Sequence, residues 1–389
     1  MVTGAYYPEA SGAGLQCRAL IRACGERVRF SVLTTAVDRS LPSDDEVDGV
    51  PVHRVPVSAT SRAARALAAP RLTLATLGAA GRVDIVHLHG FSAKSRVVGA
   101  VARRLGKRVL IKLTSVGHDD AMSMRRRGGA FRSFARADRF VGVSPRFAEL
   151  HADAGLPAGQ FTLIPNGVDL ERFRPGEAAE REPLRRELGL PADLPIVLFV
   201  GFFSHEKRPD LAFDAWTDTG ASAPASALAL VGRTQSAYFE IDGSLAATIR
   251  RNAQALGCAG RLIMIEHTNV IERFYRAADL LVLPSSREGL PNAVLEAMAS
   301  GLPCVVSRLA GVTDSLVTDG VDGMLVEPGD RAGFARAMSA LLRDAALRAR
   351  IGAAARRTVS ARFSLDEVAA RYVALYGELM TVGQGPRST

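Results

Sequence analysis

Short β-branched runs alternate with longer stretches of helical period along this chain. Strand-like runs fall at Val28–Thr34, Asp84–Leu88, Arg108–Leu113, Arg139–Val143 and Phe161–Ile164. Between them, helical patterns run over Gly14–Cys24, Arg62–Leu77, Ala93–Leu105 and Pro145–Ala154. Alternation of this kind predicts βα units built around a parallel sheet. A first strand at Met1–Tyr6 is unusually short. Either it is an abbreviated strand or the true start codon lies upstream.

The alternation breaks over Pro165–Glu187, a polar stretch with Pro175 and Pro183 that reads as a linker holding a short helix. It then restarts. Strands are predicted at Ile196–Val200, Ala227–Val231, Leu262–Ile265, Leu280–Pro284 and Cys304–Val306. Helices are predicted at Pro209–Trp216, Phe239–Leu256, Glu272–Ala277, Asn292–Ser300, Ala332–Leu342 and Asp344–Ser360. A last helix, Leu365–Met380, runs into a Gly/Pro/Ser tail of the kind that frays. The expected fold class is α/β, with two doubly wound domains facing across a cleft. Ligands of such sheets sit beyond the carboxyl ends of the strands.

Composition agrees with two domains. The chain has 389 residues, 48% hydrophobic and 23% charged, enough for a large core and too apolar for wholesale disorder. No apolar run approaches the ~18 residues that span a bilayer. Met1–Tyr7 carries no basic segment followed by an apolar one, so no secretory signal is expected. Cys17, Cys24, Cys258 and Cys304 form no CxxC and no zinc spacing, and Cys17 and Cys24 share a helical face. A reduced, cytoplasmic protein with buried thiols is the simplest account. Charge is uneven. Residues 1–175 hold 26 Lys and Arg against 15 Asp and Glu, whereas residues 176–389 hold 23 against 25. Arginine-rich codon usage accounts for the excess of Arg over Lys but not for this asymmetry. The first half is suited to an anionic partner.

The most informative segment is Pro284–Pro303, PSSREGLPNAVLEAMASGLP. It leaves a strand, turns at Gly289 and enters a helix with Pro291 near its first position, where a missing N–H costs nothing. The N–H groups around Leu290–Ala293 make a positive site suited to phosphate. Glu296 follows one turn in, among Val294, Leu295, Ala297 and Met298. A carboxylate in so apolar a helix needs a partner, and a ribose diol would satisfy both its oxygens. Glu288, on the preceding loop, could accept sugar hydroxyls. A surface glutamate and an ion-paired core-edge glutamate would account for each residue alone. The whole segment favours a ligand site.

Glu288 and Glu296, within EGLPNAVLEAMASGLPCV, resemble the paired-glutamate signature of retaining glycosyltransferases of family 4, which have the GT-B fold. Further segments resemble that family in the same order. They are Tyr7-Pro8-Glu9 with Gly12 and Gly14, Ile164–Asp169, Val200-Gly201 through Glu206-Lys207, and Phe363-Ser364 with the helix after it. The resemblance covers nearly the whole chain. It implies an N-terminal Rossmann-like acceptor domain (1–168), a C-terminal nucleotide-sugar domain (169–364), and a helix in 365–389 that returns to the first domain.

The resemblance also implies roles. Glu296 binds the ribose, Glu288 binds hydroxyls of the transferred sugar, and Lys207 binds the diphosphate. Backbone around Gly289, Leu290, Pro291 and Asn292 lines the donor. Gly14 lets backbone approach its diphosphate. His118, on the loop after Arg108–Leu113, contacts the donor sugar or its phosphate. One departure stands out: Phe202 follows Gly201 where the family commonly has an Arg, so Arg208 or Arg233 would have to take its place. Asp119 and Asp120 make no complete metal set, and the resemblance implies neither an essential metal nor a cofactor.

Gly12 and Gly14 with Asp38 also suggest a dinucleotide fingerprint, but Cys17 occupies the third glycine position. Arg125-Arg126-Arg127 lies in the basic half and reads either as a solvated run or as part of a surface for an anionic or lipid-linked acceptor, or for an anionic membrane. No nucleic-acid motif accompanies it. The expected protein is a cytoplasmic retaining glycosyltransferase, peripheral at the inner face of the membrane when its acceptor is a lipid. It moves a sugar from a nucleoside-diphosphate sugar to an acceptor hydroxyl, in cell-surface polysaccharide or glycolipid synthesis. Alternatives are a nucleotide-sugar hydrolase or epimerase of the same fold, a non-catalytic nucleotide-sugar-binding protein, and a nicotinamide oxidoreductase.

Overall fold

Two parallel sheets organise the chain, each within its own unit. The computed structural model describes residues 1–9, 11–57, 62–234 and 241–381. One unit comprises Met1–Gly167 with the chain from Leu365, and the other is Val168–Ser364.

In the first unit the elements run β1 (Val2–Thr3), α1 (Gly12–Cys24), β2 (Val32–Ala36), β3 (Asp44–Val47), β4 (Val50–Pro56), α2 (Arg62–Ala80) and β5 (Ile85–His89). They continue with α3 (Ala93–Arg104), β6 (Arg108–Lys112), α4 (Ala121–Arg126), α5 (Gly129–Phe134), β7 (Arg139–Gly142), α6 (Pro145–Asp153) and β8 (Phe161–Leu163). The eight strands lie in the order β3-β4-β2-β1-β5-β6-β7-β8. All neighbours are parallel except β3 and β4, which form an antiparallel hairpin.

That hairpin and the helices α4 and α5 are missing from the sequence reading. The hairpin turns on Asp48-Gly49, both at positive φ (53° and 75°), the Asp-Gly signature of a tight hairpin turn. Its flanking Asp44–Glu46 is too acidic to look like a strand. Arg18 of α1 ties the turn down through Asp48 at 2.6 Å, and its guanidinium lies over the Tyr7 ring. The ladder of β2 starts at Val32, later than the predicted Val28, because β4 pairs with it from Val32 and β1 only from Leu33. Val28 and Phe30 still pack against the core as the chain enters the sheet.

The core of this unit sits beneath the helix Leu365–Thr381. Its Val368, Tyr372, Leu375, Tyr376 and Leu379 recur at helical spacing and pack on Leu20 and Cys24 of α1 and on Leu110, Val141 and Ile164. Cys17 is buried in the neighbouring cluster, and all four cysteines are free and buried.

The second unit contains α7 (Ala178–Glu187), β9 (Ile196–Val200), α8 (Pro209–Thr219), β10 (Ala227–Val231), α9 (Gly243–Ala255), β11 (Leu262–Ile265) and α10 (Ile271–Ala277). It continues with β12 (Leu280–Leu283), α11 (Asn292–Ala299), β13 (Cys304–Ser307), β14 (Met324–Val326), α12 (Arg331–Arg343) and α13 (Ala345–Arg362). The first unit's Leu365–Thr381 is then α14. The strand order is β11-β10-β9-β12-β13-β14, parallel throughout. Strands β9, β10 and β12 are unbroken apolar runs, as a sheet covered on both faces demands. The three-residue β14 has no counterpart in the sequence reading. Helix α9 begins at Gly243, where Asp242 caps it through Ser244 N–H; positions 239–240 of the predicted helix lie outside the described residues. Among the described residues, no helix is long and apolar enough to cross a membrane.

A buried ionic clamp anchors the amino ends of this second sheet. Asp279 accepts from Arg181 at 2.6 Å, from Arg185 at 2.7 Å and from the backbone N–H of Ile196 at 2.7 Å. It joins α7 to the starts of β9 and β12, leaving the opposite ends of those strands to carry loops.

Candidate active site

The order of the second sheet marks one position as special. From β9 the chain steps outward to β10 and β11, then crosses back to place β12 on the other side of β9. Where the winding reverses, the loops leaving β9 and β12 diverge, and ligands of open α/β sheets settle there. Those two loops carry Lys207 and Glu288.

The loop after β9 is shaped by its own backbone. Gly201 N–H bonds Val231 O, Phe203 N–H bonds Arg233 O, and Lys207 N–H bonds Ser204 O. Arg208 takes a left-handed conformation (φ 56°) immediately before Pro209, which opens α8. The loop after β12 runs beside it. Ser286 N–H donates to Glu206 O at 2.8 Å, and Arg287 pairs with the Glu206 carboxylate. Lys207 Nζ then meets both oxygens of Glu288, at 2.6 and 2.7 Å. Glu288 is only 7% exposed, while the Lys207 side chain is 29% exposed and keeps an edge to solvent.

Helix α11 follows at once. Pro291 is its N-cap residue, and its carbonyl accepts from Val294 and Leu295 N–H. Gly289, Leu290, Pro291 and Asn292 thus form the approach to the positive end of a helix whose interior is apolar. Glu296 is the one acidic residue on it. Its partner is Tyr275 of α10, whose hydroxyl donates to Oε2 at 2.9 Å. Burial pushes the Glu296 carboxyl up to about 7, against the opposing pull of the Tyr275 hydroxyl and Arg172. The same burial, with the Glu296 charge, raises Tyr275 well above the ordinary phenol value. Tyr275 is a residue that sequence reasoning missed. Its segment, Phe274-Tyr275-Arg276-Ala277, reads as amphipathic helix, and nothing local links it to a glutamate on the next helix.

Arg208, one of the two arginines considered in place of the missing one, is turned to Asp210 at 3.0 Å. Arg233 stands at the carboxyl end of β10, beside the loop that holds Phe202.

The remaining predicted residues belong to the first unit. His118 lies half-buried in the turn after β6. Asp119 and Asp120 build that turn. Asp119 accepts from Thr114 N–H, Thr114 Oγ1 and Ser115 N–H, and Asp120 from Gly117 N–H, Ser123 N–H and Ser123 Oγ. Among the described residues there is no group of three or more His, Cys, Asp or Glu placed to hold a metal. Gly14 has a demand of its own. It is the third residue of α1, capped by Ser11, and a Cβ there would lie 2.3 Å from Ala5 O. The loop after β1 therefore presses on the helix where only glycine fits. Arg125 and Arg126 form the exposed last turn of α4, and Arg127 caps it.

Lys94, at the start of α3, also went unnoticed in the sequence. It donates to Oγ1 of Thr35, the penultimate residue of β2, at 2.6 Å, and burial lowers its affinity for a proton.

The model of the family Glycosyl transferases group 1 matches residues 180–358, and that of the Glycosyl transferase 4-like domain matches residues 11–167. The chain is 31% identical over 381 residues to D-inositol 3-phosphate glycosyltransferase 1 of Catenulispora acidiphila, covering 92% of this chain and 88% of that one. It is similar in structure to sucrose-phosphate synthase from Thermosynechococcus elongatus, with TM-score 0.80 at 23% identity over 98% of this chain and 99% of the other. It is also similar to Anabaena HepE in complex with UDP and glucose, with TM-score 0.78 at 20% identity over 97% of this chain and 99% of the other. At such identities the structural likeness establishes the fold, in which two Rossmann-like α/β domains each carry a parallel sheet.

Proposed function

The chain belongs to the group 1 glycosyltransferases of GT-B fold, and from that premise we propose that it moves a sugar from a nucleoside-diphosphate sugar to an acceptor hydroxyl with retention at the anomeric carbon. The class of enzyme, a glycosyltransferase (EC 2.4), follows from the family. The finer reading rests on one observation: the Lys207–Glu288 pair stands at the strand-order reversal of the second sheet, beside the approach to α11.

In this reading the second unit holds the donor. Glu296 accepts from the ribose, and the backbone of Gly289–Asn292 lines the diphosphate. Lys207 commits two of its three N–H donors to Glu288, which leaves the third for a phosphate oxygen of the donor. Glu288, held in place by Lys207, accepts hydroxyls of the transferred sugar. His118 and Gly14 are the residues of the first unit proposed to contact a donor.

No side chain of this set is a covalent nucleophile. The acceptor oxygen forms the new bond to the anomeric carbon on the face from which the diphosphate departs. The acceptor's proton passes to the departing phosphate oxygen. The protein contributes orientation and phosphate charge neutralisation.

The acceptor belongs to the basic first unit and is anionic or lipid-linked. The relative from Catenulispora acidiphila is named for a phosphorylated acceptor, and the exposed Arg125–Arg127 turn would favour either such a group or the anionic inner face of a membrane. The enzyme works in the cytoplasm, where nucleotide sugars are made.

Thermal unfolding against UDP, GDP, ADP, dTDP and NAD tests the donor half. A ligand at about 100 times its Kd stabilises by ~2.7 kcal/mol. The expected outcome is a shift with one nucleoside diphosphate that is lost in Glu296→Gln. No shift with any diphosphate, or one with NAD alone, would overturn the assignment.

A further inference from the structure

The carboxylate of Glu296 is not free to point where it likes. Helix α11 surrounds it with Val294, Leu295, Ala297 and Met298, all fully buried. Tyr275, 1% exposed and packed edge-on against Phe173, presents its hydroxyl to Oε2. Among the described residues, no other side chain or backbone group hydrogen-bonds that carboxylate. One oxygen is thus held from inside the protein, and Oε1 is left for whatever lies outside.

We propose that Tyr275 is a positioning residue for nucleotide recognition: its hydroxyl fixes the Glu296 carboxylate in one orientation and favours its ionised form, leaving Oε1 to accept a ribose hydroxyl. This rests on Glu296 being the ribose ligand. The phenol donates more strongly to a charged carboxylate than to the carbonyl oxygen of a neutral acid, so its hydrogen bond favours the ionised form.

The surroundings make that discrimination matter. Glu272 of α10 adds a like charge, and Arg172, ion-paired with Glu272 at 2.9 Å, opposes it. Arg356 of α13 is spent on the carbonyls of Leu170, Phe173 and Ala299. The Cys304 thiol, at the start of β13, is buried and pushed well up, so it is neutral. With the Glu296 carboxyl standing at about 7, its charge state is divided at neutral pH. A protonated Glu296 loses acceptor strength, so nucleotide affinity rises with pH through that region.

The test is the Kd of the nucleoside diphosphate that stabilises the protein, measured by calorimetry from pH 6 to 8.5 in wild type, Tyr275→Phe and Glu296→Gln. Wild type is expected to lose affinity as pH falls through about 7. Tyr275→Phe removes a donor that lowers the carboxyl's proton affinity, so its midpoint moves up. Its Kd rises by roughly tenfold at pH 7 and recovers at pH 8.5. Glu296→Gln binds weakly at every pH. If the Tyr275→Phe profile superimposes on wild type while only the melting temperature changes, the positioning role is wrong. If Glu296→Gln matches wild type in affinity and profile, the ribose assignment itself fails. Should Tyr275→Phe not fold, 3-fluorotyrosine placed at position 275 keeps the shape and makes a stronger donor. The midpoint must then move down, and an unmoved midpoint overturns the proposal.

Discussion

Lys207 Nζ sits 2.6 and 2.7 Å from the two carboxylate oxygens of Glu288, across 81 residues of sequence. The pair closes the gap between the loops leaving β9 and β12. It brings a cation and a carboxylate acceptor to the same spot. Glu288 would not be stable there alone, because it is buried and an unpaired buried carboxylate is strongly disfavoured.

Lys207→Ala is therefore expected to cost stability as well as activity. Breaking a buried pair by removing one partner costs about 3–5 kcal/mol, and the partial exposure of Lys207 brings the expected loss down to ~1–3 kcal/mol. A double-mutant cycle with Glu288→Gln in urea should recover a coupling of ~1 kcal/mol or more. Additive single losses would mean that the two side chains do not interact. On the diphosphate role proposed for Lys207, transfer activity should fall further than stability explains.

Asp279 gives the contrasting case. Its clamp on Arg181, Arg185 and Ile196 N–H lies at the amino ends of β9 and β12, away from the loops that carry Lys207 and Glu288. Asp279→Ala strands the buried Arg185 and is expected to lower unfolding free energy by ~3–5 kcal/mol. The folded fraction should bind nucleoside diphosphate with unchanged Kd. A lowered affinity in the protein that remains folded would show that the two ends of the sheet are coupled.

Gly14→Ala separates packing from ligand contact. The added Cβ would stand 2.3 Å from Ala5 O, so the loop after β1 or the start of α1 has to move. Overpacking of this kind costs about 1–3 kcal/mol. A drop in melting temperature without any ligand present is the expected result. Loss of donor affinity at full stability would assign Gly14 to the ligand alone.

Acid should weaken the first unit through two histidines. His87 and His89 on β5 are buried and held well below the ordinary histidine value of 6.5, burial being the main cause. The unfolded chain protonates both near that value while the native state resists, so the unfolded state binds more protons. Stability falls as pH drops below about 6.5, with a limiting slope of roughly 2.7 kcal/mol per pH unit for two protons. Lys112, pushed down to about 8, acts in a different window, between there and its ordinary value of 10.5. Among the described residues, His89 has no hydrogen-bond partner on either ring nitrogen, whereas His87 bonds Tyr376 at 2.8 Å. His89→Met should leave stability at pH 8 nearly unchanged and halve the acid slope in urea titrations. An unaltered slope would remove His89 from the account.

What the sequence determined by itself was local. Period-3.6 and β-branched runs placed five of the six strands of the second sheet nearly to the residue, as at Ile196–Val200 and Ala227–Val231, because each element buries its own apolar face or stripe. The segment Pro284–Pro303 announced a strand, a turn and a helix entry through Gly289 and Pro291, whose backbone preferences are intrinsic. The need of Glu296 for a partner was legible too, since a carboxylate among Val294, Leu295, Ala297 and Met298 has to be satisfied. The identity of that partner was not. Tyr275 lies 21 residues away on another helix, and Glu288 meets Lys207 only because β12 inserts beside β9 and not beside β11. Strand order is a contest among whole elements for neighbours, settled by the packing of helices on both faces of the sheet. No single residue encodes it. The hairpin at Asp48-Gly49 marks the boundary between the two: its turn is written locally, but its acidic strand is a strand only because β4 is there to pair with it.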